Sequence, residues 1–159
     1  MAGKEGMGPA KKAPESLKAP SQVNSFGLEP GDHVEVSKTI TDAEIEAFSS
    51  LSGDDNPLHM DEAFAQKTRF HGRIGQGILT ASLISTALTR LTKGLFVYTS
   101  QDLQFTGPVH PGDTIKATAQ VAEILDRGKV RFRTVCLNQR GETVLEGFAE
   151  MKRLKEASL

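Results

Sequence analysis

Cysteine is almost missing from this sequence: Cys136 is the single one in 159 residues. A disulfide within one chain is therefore excluded, which suits a reducing compartment. An excess of either charge is missing too. Nineteen Lys and Arg against twenty Asp and Glu leave a net charge of −1, so nothing points to a nucleic-acid or membrane-surface partner. No apolar run reaches the roughly 20 residues that a membrane-spanning helix needs. No H-x-x-x-H, C-x-x-C or EF-hand spacing occurs, so Asp54, Asp55, His59, Asp61 and His71 are not expected to form a metal site. There are no internal repeats. The opening MAGKEGMGPAKKAPESLKAPS has no apolar stretch of the secretory kind; it lacks arginine and carries Glu5 and Glu15, unlike a mitochondrial presequence. Gly, Pro, Ala, Lys and Ser dominate it, so residues 1–25 are expected to be a disordered tail before one domain at 26–159, located in the cytoplasm.

What is present begins with residues 77–93, GILTASLISTALTRLTK. Residues 74–89 hold no charge, and Ile78, Leu79, Leu83, Ile84, Leu88 and Leu91 recur at helical spacing, with Ala, Ser and Thr between them. A helix neutral most of the way round is expected to be enclosed by its own domain. Its start at Gln76-Gly77 presents free N–H groups and the positive end of the helix dipole.

Upstream, Glu29-Pro30-Gly31-Asp32 reads as a turn, and Val34 and Val36 as part of a short strand. Thr41-Asp42-Ala43-Glu44 is a capping box opening a helix whose inner face is read as Ile45, Phe48 and Leu51, ended by Ser52-Gly53. Residues 53–61 belong to no regular element, Asp61 caps a short helix over 62–65, and residues 66–73 are loop-like. Downstream, strands are expected at 95–105, 113–124, around Val130, Phe132, Thr134 and Cys136, and at 143–152. The last three, joined by short Gly-containing turns, make an antiparallel meander. One neutral helix with one antiparallel sheet gives an α+β domain whose sheet curls around the helix. Cys136, at a strand position, is expected to be a small buried hydrophobe.

The candidate chemistry lies in Asp54 and His59. Pro57 fixes its own φ and drives Asn56 toward extended geometry, so the five-residue span between them is stiff. A carboxylate and an imidazole at its two ends can share one water as an acid–base pair. Asp, Asn, Pro and Gly are also ordinary turn residues, so the same run can simply turn the chain. His33, His71 and His110 sit in or beside loops and read as surface or structural residues.

The blocks FSSLSGDDNPLHMDEAFAQKT, GRIGQGILTASLIS and SQDLQFTGPVHPGDTIKATAQV together resemble the MaoC-like (R)-specific enoyl-CoA hydratases, whose signature is G-D-x-N-P-[LIV]-H. The likeness covers residues 26–154. It implies a hot-dog fold, a curved antiparallel sheet wrapped around one long central helix, usually paired as a homodimer. By position it implies Asp54 and His59 as the catalytic dyad and Gly77 as the thioester-binding glycine. Asn56 is implied to support the turn, and Ser85 to be a helix serine near the dyad. Gln76 departs from the pattern, standing where many relatives have histidine. The implied reaction is reversible hydration of a trans-2-enoyl-CoA to a 3-hydroxyacyl-CoA in fatty acid or hydroxyalkanoate metabolism, with no cofactor. A dehydratase acting on acyl-carrier-protein thioesters, an acyl-CoA thioesterase and a non-catalytic acyl-binding module are the alternatives.

Overall fold

The computed structural model describes residues 27–155; the expected tail, together with Phe26 and residues 156–159, lies outside them. Five strands form one antiparallel sheet: β1 (His33–Thr39), β2 (Phe96–Phe105), β3 (Thr114–Ile124), β4 (Lys129–Leu137) and β5 (Thr143–Arg153). Their spatial order is β1-β3-β4-β5-β2. The expected meander is β3-β4-β5, with β1 added on one side and β2 on the other.

Alternation along the strands sends one set of side chains to a common face. Ile115, Ala117, Ala119 and Val121 of β3 are buried, as are Val130, Phe132, Thr134 and Cys136 of β4. Register then lines them up across the sheet, so that Val36, Ala117, Cys136, Leu145 and Phe105 form one transverse row. Cys136 is fully enclosed, and burial pushes its thiol up to about 12, which keeps it protonated and unreactive.

The long helix is α4 (Gly77–Thr92), laid mainly across β1 and β3. The small residues Ala117 and Ala119 let it sit close to the sheet. Together they make the sheet-on-helix arrangement expected of an α+β chain, and it fits the hot-dog fold that the resemblance implies. Thr80, Leu83, Ile84, Ala87, Leu88 and Thr92 face inward. The helix is not enclosed all round, however. Ile78 is 57% exposed, and Ser82, Ser85, Thr86 and Thr89 are open as well. A five-stranded sheet covers one side of the helix, and none of the described residues covers the other.

Helix α1 (Asp42–Ser52) begins at the expected capping box: the Glu44 carboxylate accepts the Thr41 backbone N–H at 2.8 Å and also the Thr41 hydroxyl. The Lys38 ammonium at 2.5 Å, followed by these two bonds, holds Glu44 at a pKa of about 2. Gly53 closes the helix with φ +78. Its inner face differs from the expected one. Ile45 and Ser49 are the buried residues, whereas Leu51 is 85% exposed. At 100° per residue Leu51 lies well off the line through Ile45 and Ser49.

A second correction concerns residues 53–61, read above as irregular. They contain a one-turn helix, α2 (Pro57–Met60), followed by α3 (Glu62–Ala65). Asn56 caps α2 by accepting the Leu58 N–H at 3.0 Å, and proline occupies the first helical position, where its missing N–H costs nothing. Asp61 caps α3 through the Phe64 N–H, as expected. No described helix is long and apolar enough to cross a membrane.

Candidate functional site

Two loop-to-helix junctions meet at one cavity. The first carries Asp54 and His59. Asp54 follows the glycine that ends α1, and His59 sits on α2, one turn after the Asn56 cap. The cap fixes the backbone of α2 directly, since the His59 N–H reaches the Asn56 carbonyl at 2.8 Å. The imidazole is buried and its Nδ1 lies 2.8 Å from the Ile74 carbonyl oxygen. A carbonyl only accepts, so Nδ1 carries the proton, and in the neutral ring Nε2 keeps its lone pair. Nε2 is 4.0 Å from Asp54 Oδ2. That gap is too long for a direct hydrogen bond and short enough for one oxygen atom to touch both groups.

The second junction is the start of α4. Ile74, whose carbonyl holds His59, stands three residues before Gly77. The backbone between them is pinned on both sides: Ile74 N–H to Leu58 O at 3.3 Å, and Gly75 N–H to Val109 O at 2.7 Å. Thr80 is the first residue of α4 whose N–H finds a carbonyl in its own helix, that of Gln76, so the amides ahead of it have no acceptor there. Glycine at 77 answers a close approach. A Cβ built there would lie 2.6 Å from Cε1 of Phe105, the last residue of the transverse row across the sheet.

His59 and Gly77 line a single cavity of about 680 Å³ with Phe70, Ile74, Thr80, Phe105, Val109 and Leu145 among its walls. Most of its surface is apolar, with the His59 imidazole, the start of α4, Arg69, Thr80 and Thr106 as its polar points, a common makeup for a site that takes an acyl group. Asp54, with 45% of its side chain exposed, stands beside His59 and is not itself part of the cavity wall.

The other candidates take different places. Asn56 is the α2 cap. Ser85 is exposed on the open face of α4 and does not line the cavity of its own chain. Gln76 turns inward: it is 2% exposed, and its Nε2 donates to the Ile45 carbonyl at 3.2 Å. His33 and His71 are exposed, and His110 is tied by Nδ1 to the Arg73 carbonyl at 3.0 Å. Among the described residues no group of three or more His, Cys, Asp or Glu could hold a metal ion.

Arg73 has a part that no sequence pattern announced. Its guanidinium pairs with Asp42 of α1, lies 3.7 Å from Glu62 of α3, and reaches the His59 carbonyl at 3.4 Å. One cation thus gathers α1, α2 and α3 behind the imidazole. Glu62 is held below the usual carboxylate range, first by the Gln66 side-chain amide and then by the Arg73 backbone N–H.

Residues 25–145 match the family described as MaoC like domain. The chain belongs to that family. This MaoC-like chain is 41% identical over 124 residues to an "(R)-specific enoyl-CoA hydratase" of Rhodospirillum rubrum, covering 77% of this chain and 85% of the relative. It is 39% identical to a "3-hydroxybutyryl-CoA dehydratase" of Methylorubrum extorquens, over 79% of this chain and 80% of that one. Among solved structures, the (R)-hydratase of A. caviae described as involved in PHA biosynthesis superposes with a TM-score of 0.78 at 36% identity. That match covers 82% of this chain and all of the other. The MaoC-like domain and its hot-dog fold are thus established by sequence and by shape alike.

Proposed function

We propose that this protein is an (R)-specific enoyl-CoA hydratase, a hydro-lyase that adds water reversibly to trans-2-enoyl-CoA thioesters to give (R)-3-hydroxyacyl-CoA. The observation that carries the reading is the convergence of the His59 imidazole and the Gly77 amide on one apolar cavity, with the Asp54 carboxylate 4.0 Å from the imidazole. The similarity to a hydratase and a dehydratase of CoA thioesters supports it.

In this mechanism the thioester carbonyl accepts the Gly77 N–H. Attack at Cβ pushes charge onto that oxygen, where an oriented amide at a helix N-terminus meets it without reorganising. One water lies between Asp54 and His59. Its oxygen bonds to Cβ while Nε2 of His59 takes a proton, the tautomer being set by the Nδ1 bond to Ile74 O. The second O–H of the water donates a hydrogen bond to the Asp54 carboxylate, which orients the attack, and stays on the oxygen as the product hydroxyl. The dyad then returns a proton to Cα on the same face, so that one water is consumed and no group on the protein is used up. Asn56 serves by holding α2.

The active species in this reading is a cytoplasmic homodimer. The outer edge of β2 ends the sheet, and Val97, Tyr98, Phe105 and Ile78 are exposed around it and the open side of α4. A second copy covering them would enclose α4 and bring Ser85 of one chain nearer the interface. Sedimentation at micromolar concentration tests this, with a monomer as the contrary result.

The activity itself is tested by adding crotonyl-CoA to the purified protein. Loss of enoyl absorbance with an (R)-3-hydroxy product is expected. Unchanged absorbance, or release of free thiol instead, overturns the reading. Faster turnover of crotonyl-carrier protein than of crotonyl-CoA would move the substrate to the carrier-protein class.

A further inference from the structure

Helix α1 buries just two side chains among its 11 residues, Ile45 and Ser49, four positions and so about one helical turn apart. Both positions touch the two junctions that make the site. The Ile45 carbonyl accepts from Nε2 of Gln76, the residue immediately before Gly77, at 3.2 Å. The Ser49 hydroxyl donates to the backbone carbonyl of Asp54 at 2.7 Å.

Neither bond is explained by packing alone. Gln76 is almost completely enclosed, and its Oε1 is buried with no hydrogen-bond partner. An apolar residue of like size would avoid that orphaned oxygen, so what the glutamine contributes is the bond to α1. Asp54 is the reverse case. Its carboxylate is nearly half exposed, and its contacts are a long one from the Asn56 N–H, 3.4 Å, and His59 at 4.0 Å. A side chain so loosely held takes its direction from its backbone, and Ser49 anchors that backbone.

We infer that α1 acts as a gauge setting the distance between the dyad and the first amides of α4, with Ser49 and Gln76 as positioning residues at its two ends. The inference rests on the hydratase reading above. Ser49 touches no reacting atom; it acts through Asp54. Displacements of about 1 Å at a reacting group can cost on the order of 100-fold in rate. Removing the hydroxyl is therefore expected to lower kcat roughly 10- to 100-fold, with KM nearly unchanged.

The decisive experiment is a double-mutant cycle on the full-length protein with crotonyl-CoA. Ser49→Ala and Asp54→Asn are made singly and together, with Ser49→Thr as the variant that restores the hydroxyl. Ser49→Cys, which keeps the size and weakens the donor, serves if the alanine variant does not fold. The expected result is that Ser49→Ala lowers kcat in the wild-type background, has less than about a twofold effect once Asp54 is asparagine, and is largely reversed by Ser49→Thr. Equal losses in both backgrounds would make Ser49 a purely structural residue and overturn the inference. So would wild-type turnover in folded Ser49→Ala or Ser49→Cys. Wild-type turnover in Asp54→Asn itself would overturn the hydratase dyad instead, so the two failures are distinguishable.

Discussion

The sheet and the segment 53–77 keep their shapes by different means. In β3, β4 and β5 most residues pair with neighbouring strands, and along β3 and β4 alternate side chains are buried, so the load is spread along the ladders. Between Gly53 and Gly77 there is no ladder. The backbone is held at points: Asn56 on Leu58, Asp61 on Phe64, His59 on Ile74, Arg73 on the His59 carbonyl. Shape there depends on a few polar contacts, and those same contacts orient the acid–base groups. Damage to the sheet should therefore appear in stability, and damage to the segment in rate.

The largest effect that would sharpen this contrast is expected from His59→Gln. With the proton acceptor gone, kcat should fall by about 10²–10⁴, while the melting temperature stays near that of the wild type. Turnover within a fewfold of the wild type would break the assignment. Phe132→Ala is the mirror experiment. Phe132 is fully buried in β4, so truncation should cost about 3–5 kcal/mol in denaturant unfolding, with kcat preserved wherever the variant is folded. A rate loss as large as that of His59→Gln would show that sheet and segment are not separable.

A smaller effect is expected where the two regimes overlap. Asn56→Ala removes the α2 cap and should cost about 1 kcal/mol of stability, with a drop in kcat larger than that cost predicts, because His59 rides on α2. Equal wild-type and variant rates would confine Asn56 to a structural part. The smallest effect concerns Glu44, which does not line the cavity. Its pKa is lowered from 4.5 to about 2 by Lys38 and Thr41. A depressed folded pKa adds stability that is fully present above pH 4.5 and is lost as pH falls toward 2. The melting-temperature gap between wild type and Glu44→Gln should therefore shrink over that window, and a gap constant with pH would contradict the linkage.

How much of this was legible beforehand follows from the same contrast. The strands and α4 announce themselves because burial repeats with period 2 or 3.6, and Thr41-x-x-Glu44 and Gly53 mark the ends of α1. Leu51 was misplaced because a hydrophobic residue was assumed to face inward, whereas the helical angle from Ile45 turns it outward. Helix α2 was missed because four residues show no period, although Asn56-Pro57 carried the capping signal. The open side of α4 was hidden because small neutral residues suit either a protein neighbour or solvent. Asp54, His59 and Gly77 are proposed as site residues from the signature run and the helix start. Arg73, Ser49 and the Ile74 carbonyl were not, because they join segments distant in sequence and belong to no repeating pattern.

The central claim is that the carboxylate and imidazole flanking one water, beside the amide of Gly77, carry out the hydration. Its most direct test is the steady-state rate of folded Asp54→Asn protein with crotonyl-CoA. The account predicts a kcat about 10²–10⁴ below the wild type at unchanged fold. Wild-type turnover by that variant would contradict it.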